Sequence, residues 1–174
     1  MTNDKNDQAG AIAKLSEMIK DVRIAMLTTA SHDGSLHSRP MATQQTEFDG
    51  DLWFFTQISS GKVEEIKDDQ HVNVSYCDAG ENSFVSIAGA ASIVRDRAKI
   101  EELWHPLHKA WFPKGADDPE IALIKVRVEH AAYWDAPSGA MVQLAGFVKA
   151  LATGQQFQPG EHGKINLATP GDAA

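Results

Sequence analysis

The sequence predicts a mainly β domain, a six-stranded antiparallel barrel with peripheral helices. Three observations predict it. Apolar and polar residues alternate over six separate runs, the period of a half-buried strand. Asp-Gly steps follow two of these runs, at Asp33-Gly34 and Asp49-Gly50, and such steps are strong hairpin signals. Helical periodicity is confined to segments beside the strands, which disfavours a doubly wound parallel sheet. The 174 residues suit a single domain with a sizeable core.

Taken in order, residues 1–8 are polar and read as a disordered N-terminus. The domain proper spans 9–153. It opens with a helix over 11–22, with Ile12, Leu15, Ile19 and Val22 on one face. Strands follow at 23–30, 35–47 and 51–56, and the two Asp-Gly steps between them predict a meander. Pro40 cannot donate to a ladder, so the second strand belongs at an edge or an irregularity. A short helix over 60–69 buries Val63 and Ile66. Strands at 71–77 and 83–95 come next, with Gly89 marking a bend or close backbone approach. Asp96 is an N-cap for a helix over 97–104. Residues 105–120 combine turn chemistry with Trp111-Phe112-Pro113. The last strand runs over 121–134, and a helix over 138–152 carries Met141, Leu144 and Val148 on one stripe. Residues 154–174 read as a flexible tail.

Composition narrows the function. A formal net charge of −8 with scattered Lys and Arg argues against nucleic acid, which requires a basic footprint. No apolar run approaches the roughly 20 residues of a membrane span. The N-terminal Met-Thr-Asn-Asp-Lys-Asn-Asp has no hydrophobic secretory region, and the single cysteine, Cys77, excludes an intrachain disulfide. The expected location is cytoplasmic. Cys77 falls in an apolar strand pattern and reads as a buried thiol.

The chemistry concentrates at Phe54-Phe55-Thr56-Gln57-Ile58-Ser59-Ser60-Gly61-Lys62, a strand end, a loop and a helix start. Lys62 falls in the first helical turn, where the macrodipole already places positive charge. Free N–H groups, Ser59, Ser60, the small Gly61 and Lys62 converge there as an anion cradle suited to phosphate. The plainer alternative is a serine N-cap followed by a solvated lysine. Arg39, beside Pro40 in an irregular strand, is a second candidate against the alternative of a solvent-facing arginine. His105 and His108 stand three residues apart, but no cysteine or carboxylate cluster completes a metal set. Glu64-Glu65 and Asp68-Asp69 read as a solvated helix face. Trp53 and Trp104 read as core, whereas Trp111 in the long loop and Trp134 at the end of the last strand are candidates for ligand contact. No acid, base or nucleophile for catalysis stands out.

The run from Arg39-Pro40-Met41, through Phe54-Phe55-Thr56, to Ser59-Ser60-Gly61-Lys62 resembles the pyridoxamine 5′-phosphate oxidase-like FMN-binding split-barrel flavoproteins. Trp111-Phe112-Pro113-x-Gly and Tyr133-Trp134 resemble more specifically their general stress protein branch. The likeness spans about residues 10–153. It implies a split barrel, and a homodimer with FMN, or alternatively FAD, at its interface. It also implies flavin phosphate contacts from Arg39 and Lys62, assisted by Ser59 and Ser60. Backbone and hydroxyl contacts fall to Phe55 and Thr56, with Pro40, Met41 and Trp111 beside the flavin and Trp134 reaching it from the other subunit. Two departures bear on activity. Gly61 stands where the oxidases carry a second cation, and Asp135-Ala136-Pro137-Ser138-Gly139 replaces their Arg-Leu-His-Asp-Arg segment. The expectation is a flavin-dependent oxidoreductase of unspecified substrate that does not oxidise pyridoxamine 5′-phosphate. The alternatives are a non-catalytic flavin-binding or sensing stress protein and a deazaflavin-dependent reductase. The acidic balance and the FMN-type cradle count against the last.

Overall fold

The computed structural model describes residues 2–44, 46–135, 149, 153 and 160–168. Helix α1 (Thr2–Ile19) precedes β1 (Ile24–Ala30), β2 (Leu36–Ala42) and β3 (Asp51–Gln57). Helix α2 (Gly61–Asp68) leads to β4 (His71–Asp78) and β5 (Ser83–Val94), then α3 (Arg97–Leu103) and a 3-10 turn (Pro106–Ala110). Strands β6 (Ile121–Asp135) and β7 (Glu161–Asn166) complete the described chain. No helix among the described residues is long and apolar enough to cross a membrane.

The strands form one antiparallel sheet in the order β2-β1-β4-β5-β6-β3, with β7 also on β6. The mainly β, split-barrel architecture stands as predicted, with seven strands among the described residues in place of six and β2 and β3 as the ends of an open path. Asp33-Gly34 closes the β1–β2 hairpin: Gly34 has φ +82° and Ser31 N–H donates to the Ser35 carbonyl at 2.8 Å. Asp49-Gly50 does not close a hairpin. It is a turn, with Gly50 at φ +113°, that carries β3 away from β2 to pair with β6. The dipeptide specifies a reversal, and the partner strand is chosen by burial, because Phe54 must face the core. Only β1 pairs with β2, so Pro40 lies on the edge its chemistry demands. The register of β5 and β6 shifts between Ala88 and Gly89, and a Cβ on Gly89 would collide with the Arg127 carbonyl. The expected close approach is therefore real.

Two further expectations differ. The helix starts at Thr2 rather than after residue 8. The tail carries β7. Its Glu-His-Gly-Lys-Ile-Asn sequence has almost no apolar signal, and it is ordered by ladder bonds to the edge of β6 and by burial of Leu167. The expected helix over 138–152, with Met141, Leu144 and Val148, lies outside the described residues apart from position 149.

The main core joins Leu15 and Ile19 of α1 to Leu27, Phe54, Val74, Ile87, Ile124 and Val126 of the sheet. A smaller cluster, Phe55, Ile100, Leu103, Phe112, Ile121 and Leu123, sits under α3 and the 3-10 turn, with Trp53 and Trp104 packed against it. In β4, Val72, Val74 and Tyr76 point inward, which leaves Cys77 in the opposite phase and exposed. The expectation of a buried thiol fails on that alternation. The N-cap at Asp96 holds: its carboxylate accepts from the Ala98 N–H at 2.9 Å.

Candidate functional site

Strand β2, the end of β3, the start of α2 and the 3-10 turn enclose a cavity of about 570 Å³. Eight of the ten predicted residues line it: Arg39, Pro40, Met41, Phe55, Thr56, Ser60, Lys62 and Trp111. Ser59 is exposed in the β3–α2 loop and is not among the lining residues. Trp134 lies elsewhere on its own subunit, in β6 between Phe84 of β5 and His162 of β7, half exposed.

The polar end is built by the β3–α2 connection. Ser60 is the N-cap of α2 by backbone geometry, yet its side chain makes no cap bond. Its hydroxyl lies 3.0 Å from Thr56 Oγ1, and Lys62 Nζ donates to the same Thr56 oxygen at 3.2 Å. Thr56 is buried and Lys62 half-buried. Burial, and then the nearby Arg39 guanidinium, push the Lys62 pKa below the ordinary lysine value, with Glu65 opposing. The first-turn N–H groups of α2 have no intrahelical acceptors. Two hydroxyls, a desolvated ammonium and a helix start thus converge on one end of the cavity, an arrangement suited to an anion.

Arg39 lines the cavity and is held in place by other side chains. Its guanidinium donates to Glu65 Oε2 at 2.8 Å and to Thr29 Oγ1 at 2.7 Å. Glu65 is not on a solvated face. Its side chain is only 15% exposed, and Thr29, Ser31, His37 and Arg39 all surround its carboxylate. Burial raises its pKa, but the four side-chain hydrogen bonds outweigh burial and hold it at about 2. The network ties the β1–β2 hairpin to α2 and fixes Arg39 beside the cavity. Sequence reasoning missed Glu65 because three acidic residues crowd α2 and a fourth, Asp69, caps its end. A signal was available: position 65 lies between the core residues Val63 and Ile66, and three residues after Lys62.

The other end of the cavity is aromatic. Phe55 stacks against His108 with ring centroids 4.3 Å apart and edges onto Trp104 at 5.7 Å. Phe112 completes the wall, and Trp111, 60% exposed, stands at the mouth. His105 and His108 serve the 3-10 turn as a capping box: the His105 N–H donates to His108 Nδ1 at 2.9 Å. No group of three His, Cys, Asp or Glu among the described residues could hold a metal.

Comparison with known proteins places this geometry. The family model described as pyridoxamine 5′-phosphate oxidase like matches residues 10–158. Protein bli-3 of Neurospora crassa is 33% identical over 154 residues, covering 83% of this chain and 74% of that protein. The crystal structure of a general stress protein 26 of Jannaschia sp. CCS1 superposes with TM-score 0.73 at 24% identity, over 91% of this chain and 99% of that one. The general stress FMN/FAD binding protein of Xanthomonas citri superposes with TM-score 0.63 at 29% identity, over 73% of this chain and 89% of that one. The chain therefore belongs to the pyridoxamine 5′-phosphate oxidase-like family, in its general stress protein branch.

Proposed function

We propose that the cavity binds a flavin, FMN or alternatively FAD, and that the protein is a cytoplasmic flavin-dependent oxidoreductase working as a homodimer. The observation that carries the flavin reading is Lys62. A half-buried ammonium at a helix start, whose protein partner is a neutral hydroxyl, needs an anion. A flavin phosphate satisfies it. Thr56, Ser60 and Lys62 hold the phosphate, and Arg39 adds positive charge from its fixed place on Glu65. Met41, Phe55 and Trp111 supply apolar wall for a ring system, and Pro40 keeps a backbone donor out of that wall. A volume of about 570 Å³ falls in the ordinary range for small-molecule sites. The X. citri relative, an FMN/FAD binding protein, supports the same reading. A bound flavin would supply one- and two-electron redox chemistry, and the chain's part is to bind, orient and exclude water.

The test is the visible spectrum of purified protein with identification of the extracted ligand, followed by titration of apo-protein with FMN and riboflavin. Saturable binding with a resolved flavin spectrum is expected, and absence of binding to both would end the reading. Anaerobic reduction by NADH or NADPH then separates an oxidoreductase from a passive flavin binder. Pyridoxamine 5′-phosphate should not be turned over, because Gly61 leaves the helix start without a second cation for the substrate's own phosphate. Formation of many equivalents of pyridoxal 5′-phosphate per flavin from pyridoxamine 5′-phosphate in air would overturn that expectation.

The dimer reading rests on a sheet face with exposed apolar residues. Met26, Ser75, Ser86 and Ala132 stand side by side across β1, β4, β5 and β6, and Phe84 pairs with Trp134 in a neighbouring rung. Ile24, Met26, Phe84 and Trp134 are between 39% and 51% exposed. Small residues flanked by large apolar ones suit a second sheet. Sedimentation at micromolar concentration should give twice the 18.9 kDa chain mass; a monomer that holds flavin would remove the dimer from the proposal.

A further inference from the structure

His108 is absorbed by neither the phosphate cradle nor a metal site, yet it lines the cavity. Its Nδ1 accepts the His105 N–H at 2.9 Å. An acceptor bears no proton, so the proton of the neutral ring sits on Nε2. Burial, then the neighbouring His105, lower the pKa of this ring, which keeps it neutral at physiological pH. Nε2 has no hydrogen-bond partner among the described residues, and no polar side-chain atom among them is both fully buried and unpaired. The Nε2–H therefore keeps access to solvent, although the residue as a whole is only 8% exposed. The ring is held by Phe55 at 4.3 Å and Trp104 at 5.4 Å. This is a donor of fixed tautomer and fixed orientation at the aromatic end of a cavity whose anion-binding groups lie at the other end.

We propose that the His108 Nε2–H donates a hydrogen bond to a carbonyl or ring-nitrogen acceptor of the bound isoalloxazine and thereby positions the flavin and tunes its potential. The inference rests on the flavin reading above. Reduction raises electron density on those acceptor atoms, so a donor there stabilises the reduced flavin more than the oxidised one. The 3-10 turn is then the device that sets the tautomer, and Pro106 at its start makes the turn local and stiff.

Two variants separate this role from the capping role. In His108→Asn, Oδ1 takes the place of Nδ1 and keeps the cap, but the distal N–H is lost. In His108→Gln, the amide N–H reaches the position of Nε2 and the cap is lost. His108→Asn should weaken FMN and riboflavin equally, by roughly tenfold, shift the visible absorption of the bound flavin, and make its midpoint potential more negative. His108→Gln should return all three toward wild type at lower thermal stability. In wild-type protein, the Nε2 proton should become protected and shift in ¹⁵N-edited spectra when riboflavin is added. Unchanged affinity, spectrum and potential in folded His108→Asn, equal losses in both variants, or an unperturbed Nε2 proton would each overturn the proposal. Failure of the phosphate reading looks different: Lys62→Ala would then lose no more FMN affinity than riboflavin affinity, with His108 unaffected. Failure to bind either flavin removes both.

Discussion

Replacing Lys62 with Ala should lower FMN affinity ten- to a hundredfold and leave riboflavin affinity nearly unchanged. A charge-assisted hydrogen bond to phosphate is worth about 1.5–3 kcal/mol, and Lys62 is placed to make one at the start of α2. The fold should tolerate the change, because the Nζ holds only a 3.2 Å bond to Thr56 and a position unfavourable to the helix dipole. Titration of apo-protein with both ligands checks it. Equal losses for FMN and riboflavin would show that Lys62 does not contact phosphate. A pH dependence follows with a definite sign. Burial and Arg39 lower the Lys62 pKa from the ordinary 10.5, so the unliganded lysine loses its proton at lower pH than a solvated one. The FMN-over-riboflavin preference should fade as pH rises through that lowered value. Lys62→Ala should show no such fading.

The Glu65→Gln variant should lose up to about 3.5 kcal/mol of stability at neutral pH, measured by urea denaturation. The folded carboxyl titrates at about 2 against an ordinary 4.5, and each tenfold change in proton affinity is worth about 1.4 kcal/mol. The group is depressed, so its contribution is fully present above pH 4.5 and is lost as pH falls toward 2. Wild type and Glu65→Gln should therefore converge at low pH and diverge above it. The amide still offers one acceptor oxygen to Thr29 or Ser31, but Arg39 is left as a part-buried cation without its partner carboxylate. Parallel stability curves across the whole range would show that Glu65 is not the hub of this network.

Much of this molecule is written locally. The alternation in β4 and β5, the Asp96 cap, the Asp33-Gly34 hairpin and the edge placement of Pro40 depend on neighbouring residues only, and each can be read from sequence. The proposed phosphate cradle is legible for the same reason: Thr56, Ser60 and Lys62 lie within seven residues, and a strand–loop–helix connection brings them together. Eight of the ten predicted site residues line one cavity: seven come from β2, the end of β3 and the start of α2, and Trp111 reaches it from the end of the 3-10 turn.

What the sequence could not decide involves partners far apart in the chain. Asp49-Gly50 specifies a turn, but β3 lies beside β6, 70 residues on, because one face of Phe54 and Leu52 must be covered. Strand β7 has no apolar pattern of its own and exists by pairing with a free edge. Glu65 looks like its three acidic neighbours until the β1–β2 hairpin folds over it with Thr29, Ser31, His37 and Arg39. His108 becomes a donor of known tautomer only once the 3-10 turn closes on it. Sequence by itself determined the strand pattern, the family and the clustering of hydroxyls and a lysine at the start of α2. The tertiary structure alone decided which strand edges meet, which carboxylate is buried and which imidazole nitrogen caps the 3-10 turn, since those are set by burial and pairing rather than by the preferences of any one element.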